Sequence, residues 1–311
     1  MLYRLFFGSA YNFFDEGNPS KYAVFMLLML AFSFWSCFLA LKFFRNILPK
    51  DQGREFAVNG ALSQGKARGC GLIFITTFCL SAALFIPLDL EYLIYLVLLY
   101  GAMLTGYLDD AAKVPWGNLK KGLLDLVISL GTAVNYWHFN GSDIKMPLLH
   151  LNFHIPAVIF IILAGVLVWT AINVTNCTDG VDGLCASLVM AVLFSFVMFS
   201  GVLTLTVGWS FLDFAPVIML ATLAAYLWFN CSPSTMLMGD AGSRALGVLL
   251  AIIFLKMKNF MKDIRTPLHD HCRKNKGWSD TQVVMRFTII QLVINIMYLA
   301  ATNYDRLTSL S

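Results

Sequence analysis

Charge is what this chain has least of: Asp, Glu, Lys and Arg together make 13% of its 311 residues. A water-soluble domain of that length carries about twice that share, so a soluble globular fold is excluded. Paired cysteine spacing is also absent. The seven Cys are scattered, and Cys37, Cys70 and Cys79 fall inside apolar runs. They read as reduced packing residues, with neither a disulfide framework nor a zinc site. Alternating ten-residue strands are missing, which excludes a β-barrel. No linker of domain size and no low-complexity segment interrupts the chain, so 1–311 reads as a single domain. The first twenty residues turn polar after Phe7 and make no signal peptide, so the first apolar span serves as the insertion signal.

What is abundant is apolar length: 59% of the residues are hydrophobic and the mean hydropathy is +0.72. In lipid the backbone must satisfy its own hydrogen bonds, which makes this an all-α, polytopic membrane protein. Runs long enough to cross, at about 17–25 residues each, lie at 22–44, 70–87, 91–108, 119–138, 156–174, 185–208, 213–231 and 283–302, with a short run at 245–255. Nine to ten membrane helices are expected.

Orientation follows from Lys and Arg, which gather in cytoplasmic loops. The 45–69 loop holds Arg45, Lys50, Arg54, Lys66 and Arg68; the 109–121 loop holds Lys113, Lys120 and Lys121; between 139 and 155 only Lys145 occurs. The N-terminus is therefore outside, and 109–118, 175–184 and 232–244 all fall on the cytoplasmic side. The alternation then fails. The run at 245–255 should lead outward, yet the basic stretch 256–286 follows it. The eleven residues of that run cannot cross twice, so either it is not a true span or, the preferred reading, a segment between about 249 and 262 that completes span eight and supplies a ninth is absent from the chain.

Three acidic clusters close apolar runs on that one side. The first is Asp109-Asp110, with Lys113 a helical turn beyond. A solvated helix end explains such a pair as readily as phosphate chemistry does. The second, Asn173 to Leu184, holds Asn176, Asp179 and Asp182 among Gly180 and Gly183. Asp179 and Asp182 share a face if the turn is helical. A helix cap would account for Asp182 but not for the whole group. The third is Met238-Gly239-Asp240-Ala241-Gly242-Ser243, where Asp240 is either an N-cap or a hard oxygen ligand suited to Mg²⁺. A fourth stretch, His269-Asp270-His271 followed by Arg273, Lys274 and Lys276, suits anionic or sugar groups, although an ordinary basic loop has the same composition. Trp116, Trp137 and Trp228 read as anchors at the membrane interface. Carboxylates beside membrane spans are costly and mark function, so the clusters point to one metal and phosphate site at one membrane face.

Taken in order, these motifs resemble the polyprenyl-phosphate N-acetylhexosamine-1-phosphate transferase superfamily. The matching stretches are Gly106 to Asp110 with Lys113, Asn173 to Leu184, Phe229-Asn230 with Met238 to Ser243, and Pro267 to His271. Gly277-Trp278 and Val283 to Phe287 tip the resemblance toward its phospho-N-acetylmuramoyl-pentapeptide transferases and away from its GlcNAc-1-phosphate transferases. The resemblance implies transfer of phospho-MurNAc-pentapeptide from UDP-MurNAc-pentapeptide to undecaprenyl phosphate in a lipid bilayer, with UMP released. It also implies Mg²⁺ as cofactor and a homodimer, and no nucleic-acid partner. By position it assigns Asp240 to the metal. Asp109, Asp110 and Asp179 are assigned to catalysis. Lys66, Lys113, Lys121, Asn176, Asp182, His269, Asp270 and His271 are assigned to substrate. Two departures stand out. Asp270 replaces the family's middle His, and Arg68-Gly69-Cys70-Gly71 replaces its Thr-Pro-Thr before the glycines. The same fold acting on UDP-GlcNAc, a secondary transporter and an inactive scaffold are the competing readings. Acids at span ends and the absence of an internal repeat weigh against transport.

Overall fold

The computed structural model describes residues 19–53, 63–146, 151–203, 211–256 and 279–309. Among them every expected apolar run is a helix: α1 (Pro19–Phe44), α2 (Gly71–Phe85), α3 (Leu90–Asp110), α4 (Asn118–Asn140), α5 (Ala157–Thr178), α6 (Leu184–Leu203), α7 (Phe211–Asn230), α8 (Gly239–Lys256) and α9 (Asp280–Ser309). The one departure from an all-helical chain is a short antiparallel hairpin, β1 (Asp143–Met146) with β2 (Leu151–His154), in the link from α4 to α5. Three helices among the described residues, Val24–Ile47, Leu90–Asp110 and Ala157–Thr178, are long and apolar enough to cross a membrane. Leu27, Trp35, Val97, Val158, Ile162 and Val166 on their outward faces are each more than half exposed. In water such a surface would aggregate; facing lipid it has no penalty.

Helix α8 is the hub. Nearly all of its residues are buried, and it packs on α2, α3 and α5. Small residues permit the approach. A Cβ on Gly106 of α3 would lie 2.6 Å from the Ala241 nitrogen, and one on Gly247 would lie 2.6 Å from the Ile172 Cα of α5. Around this axis α1 packs on α2 and α7, α4 on α3 and α5, and α6 on α7, while α9 docks on α6.

The sequence makes 245–255 too short to cross; the structure begins the helix six residues earlier, at Gly239, and carries it to Lys256 without interruption. The chain is therefore continuous through 249–256, the first part of the stretch where a segment is expected to be absent. At 1.5 Å per residue the helix is about 27 Å long, close to the thickness of the hydrocarbon core. Its two termini lie at opposite ends of the bundle. Asp240 lies beside the C-terminal end of α3, whereas Lys256 Nζ meets Glu91 Oε1, at the N-terminal end of α3, at 2.7 Å. Asn140 completes that far cluster: its Nδ2 donates to Glu91 Oε1 at 2.7 Å and its Oδ1 accepts from Lys256 at 2.9 Å. Helix α9, by contrast, starts back at the Asp240 end, where Val283 packs on Val181 and Leu184. Residues 257–278 between them, including His269, Asp270 and His271, lie outside the described residues.

Candidate active site

Several segments meet at the Asp240 end, and a short ladder ties their loops together. Ala67 bridges Lys50 on one side and Met236 on the other. The Leu237 N–H donates to Ala67 O at 2.8 Å, and Cys70 N–H to Leu237 O at 3.1 Å. Asn230 locks the next turn, accepting from Gly183 N–H at 2.9 Å and donating to Met236 O at 2.9 Å. The polar pattern of the 173–184 and 229–243 stretches is thus spent partly on holding one loop against the other.

Within that frame the acidic clusters separate into two kinds. Asp110 is turned inward, its side chain fully buried. Its Oδ1 accepts from Arg68 Nε at 2.8 Å and its Oδ2 from the Ala241 backbone N–H at 3.0 Å. It therefore caps α8 from outside that helix, satisfying an otherwise orphaned N–H. The same guanidinium reaches Asp51 Oδ1 at 3.2 Å. Burial works against the charge on Arg68, but Asp110, Asp240 and Asp51 more than offset it and raise its pKa above the ordinary arginine value.

Asp109 and Asp240 belong to the second kind. The Lys121 ammonium, partly open to solvent, pairs with Asp109 Oδ2 and lies 3.1 Å from Asp240 Oδ2. Asp109 Oδ1 also accepts the Trp116 N–H at 2.7 Å. Asn176 Nδ2 donates to Asp240 Oδ1 at 3.1 Å and to Ser243 Oγ at 3.0 Å. Helices α3, α4, α5 and α8 therefore each bring one polar side chain, Asp109, Lys121, Asn176 and Asp240, to one point.

Asp182 stands in a neighbouring group. It accepts the Ser234 N–H at 3.1 Å, with Lys66 Nζ 3.6 Å away and that ammonium 2.9 Å from Ser234 Oγ. Asp179 is half-buried at the end of α5. Lys113 is exposed in the loop after α3, and among the described residues no ion pair ties it to these acids. Of the expected set, the structure brings Asp109, Lys121, Asn176 and Asp240 into direct contact, with Asp110 behind them and Lys66 and Asp182 alongside.

Among the described residues no group of three or more His, Cys, Asp or Glu converges as a ready-made metal cage. The donors suit Mg²⁺ all the same, because it binds through one or two carboxylates and takes the rest of its shell from phosphates and water. Asp240, with Asn176 and Ser243 beside it, is such a set.

Four site residues fall outside the sequence motifs: Asp51, Ser234, Asp125 and Arg244. Arg244 NH1 lies 3.1 Å from Asp125 Oδ1, both nearly fully buried, and its NH2 lies 3.4 Å from Asp240 Oδ2. The sequence does hold a signal for two of them: Asp125 is a charge inside an apolar run and Arg244 directly precedes one, each four residues after a site residue, Lys121 and Asp240.

The profile of the family described as Glycosyl transferase family 4 matches residues 92–258, more than half of the chain. A phospho-N-acetylmuramoyl-pentapeptide-transferase of Treponema pallidum (strain Nichols) is 34% identical over 325 aligned positions, covering 89% of this chain and 89% of that protein. Proteins of the same name from Clostridium perfringens (strain SM101 / Type A) and Bartonella quintana (strain Toulouse) are 30% and 26% identical, covering 81% and 95% of this chain and 86% and 98% of theirs. The 325 and 361 aligned positions of the Treponema and Bartonella matches exceed the 311 residues here, so those relatives carry residues without a counterpart in this chain. The matched region holds α3, α4, α5 and α8, the helices that build the Asp109–Lys121–Asn176–Asp240 cluster, and the chain belongs to glycosyl transferase family 4.

Proposed function

We propose that this chain transfers phospho-N-acetylmuramoyl-pentapeptide from its UDP-linked donor to undecaprenyl phosphate at the cytoplasmic face of a bacterial membrane. The observation that carries this reading is the convergence of Asp109, Lys121, Asn176 and Asp240 at one end of a membrane bundle. The name shared by relatives that match most of the chain agrees with it. The side is supported by charge: Arg45, Lys50, Lys66, Arg68, Lys113, Lys120 and Lys121 all lie at the Asp240 end.

An oxygen of the lipid phosphate attacks the β-phosphorus of the donor. The bond from that phosphorus to the bridging oxygen breaks, and the oxygen leaves with UMP. Such a transfer needs positioning and charge neutralisation more than covalent help. Bound at Asp240, with Asn176 beside it, Mg²⁺ would supply charge compensation on the diphosphate. Lys121 binds a phosphate oxygen between the two carboxylates. Asp109 orients Lys121 and meets the lipid phosphate, and Lys66 with Asp182 borders the donor. Arg68 holds Asp110 as the cap of α8 and so fixes the Asp240 turn.

The reading also requires 269–271 at the same face. Helix α8 ends at the far end of the bundle, and 257–278 contains no run of the roughly 20 apolar residues that a return crossing needs. We place the absent crossing after Lys256, where α8 ends. The test is UMP release from the purified protein in lipid, with undecaprenyl phosphate and either UDP-MurNAc-pentapeptide or UDP-GlcNAc, with and without Mg²⁺. Release with the first donor and Mg²⁺ is expected; release with UDP-GlcNAc alone would reassign the donor.

A further inference from the structure

Asp240 is met from two sides. Lys121, with a side chain 23% exposed, approaches from the open side, and Arg244, 3% exposed, from one turn deeper on α8. A guanidinium at that depth is expensive and needs anionic partners. It has two. NH1 goes to Asp125 and NH2 to Asp240, while Nε is buried without a hydrogen-bond partner. Asp125 follows Lys121 by four residues on α4, and Arg244 follows Asp240 by four on α8. Each helix thus presents two charges one turn apart. Across the α4–α8 contact the side chains form an alternating row: Asp109, Lys121, Asp240, Arg244, Asp125.

Joining two helices does not require this row. An apolar pair of similar volume stabilises a buried contact at least as well as an ion pair. What an apolar pair cannot do is place positive charge against the inner side of Asp240. We propose that Arg244, anchored by Asp125, is a positioning residue for Asp240: it compensates that carboxylate from the membrane side and frees Lys121 to move from Asp240 to a phosphate of the substrate. This rests on the phosphoryl-transfer reading above. It carries a second consequence. A fixed cation 3.4 Å from Asp240 weakens the hold of that carboxylate on a divalent cation, so the metal is gripped firmly only when substrate phosphates join its shell.

The test uses the full chain in lipid nanodiscs, as wild type, Arg244→Leu/Asp125→Leu and Arg244→Lys. Mn²⁺ is titrated without substrate and free Mn²⁺ is read by electron paramagnetic resonance; kcat and KM for the donor are measured separately. The double variant replaces the ion pair by apolar volume and should melt near the wild-type temperature. It should bind Mn²⁺ about tenfold more tightly, since a neighbouring positive charge is gone. Its kcat should fall at least about tenfold while KM changes little, because Lys121 stays bound to Asp240. Arg244→Lys should recover part of kcat. A well-folded double variant with wild-type Mn²⁺ affinity, or with wild-type kcat, would reduce Arg244 to a packing role and overturn the proposal, as would failure of all the proteins to bind Mn²⁺. If the double variant does not fold, Arg244→Gln removes the charge alone and is judged by the same shifts. Should the wild type bind Mn²⁺ yet turn over neither sugar nucleotide, the functional reading fails while the Mn²⁺ shift still decides the role of Arg244.

Discussion

Helices α3, α4 and α8 are clasped at both ends, and the two clasps are built differently. At the far end one carboxylate, one ammonium and one amide, Glu91, Lys256 and Asn140, satisfy one another. The Lys256 ammonium also lies 5.1 Å from the Tyr92 ring, and little of the cluster is open to solvent. At the near end Lys121 is shared between Asp109 and Asp240, Arg244 between Asp240 and Asp125, and Arg68 between Asp110 and Asp51. In that set five carboxylates face three cations. A closed, neutral set holds helices together; a set with surplus negative charge and a partly exposed ammonium is prepared to exchange partners. The difference separates stability from chemistry within one helix trio.

The contrast can be broken most sharply at Asp240. Asp240→Asn keeps the shape and the Asn176 contact but removes the charge, and turnover should fall by at least about 10³-fold with little change in melting temperature. Near-wild-type release of UMP would remove Asp240 from the chemistry. The far clasp should respond in the opposite way. Glu91→Leu leaves a buried ammonium unpaired and should cost about 3–5 kcal/mol of stability, read by denaturation in mixed micelles. The folded fraction should keep its kcat, and Glu91→Leu/Lys256→Leu should recover most of the loss. A fall in kcat matching the Asp240 variant would erase the distinction between the ends. The smallest effect is expected at Lys113, exposed and without an ion pair to the acids: Lys113→Ala should change kcat/KM by less than about threefold, as for a surface charge. A loss above tenfold would bring that loop into the substrate site.

Most of the helical architecture is legible in the sequence, because lipid leaves an apolar run few alternatives to a helix. The boundaries of most helices fall within a few residues of the apolar runs, although α9 continues past its run to Ser309. The clearest exception is α8. Its first turn, Gly239 to Arg244, is polar by composition yet buried, so hydropathy starts the span six residues late. The hairpin at 143–154 escapes such a reading, since four-residue strands give too short an alternation to register. At the site, Asp240 and Asn176 lie in legible motifs, whereas Lys121 lies outside them and is singled out by the family resemblance. The inward turn of Asp110 is not legible, because its partners are the backbone of α8 and an Arg forty-two residues earlier. The two acids of Asp109-Asp110 are adjacent in sequence, yet one faces Lys121 and the other the helix core. A helix separates neighbours by about 100°, which is enough to give one a role in binding and the other a role in capping.

The central place of α8 also bears on the order of synthesis. It is the eighth of nine described helices to leave the ribosome, yet α2, α3 and α5 all pack against it. Until it arrives the nascent bundle has no axis, and Asp125 and Glu91 wait in the bilayer without the Arg244 and Lys256 that later meet them. A chain truncated before Gly239 therefore leaves Asp125 without Arg244, and leaves Glu91 with Asn140 but without Lys256.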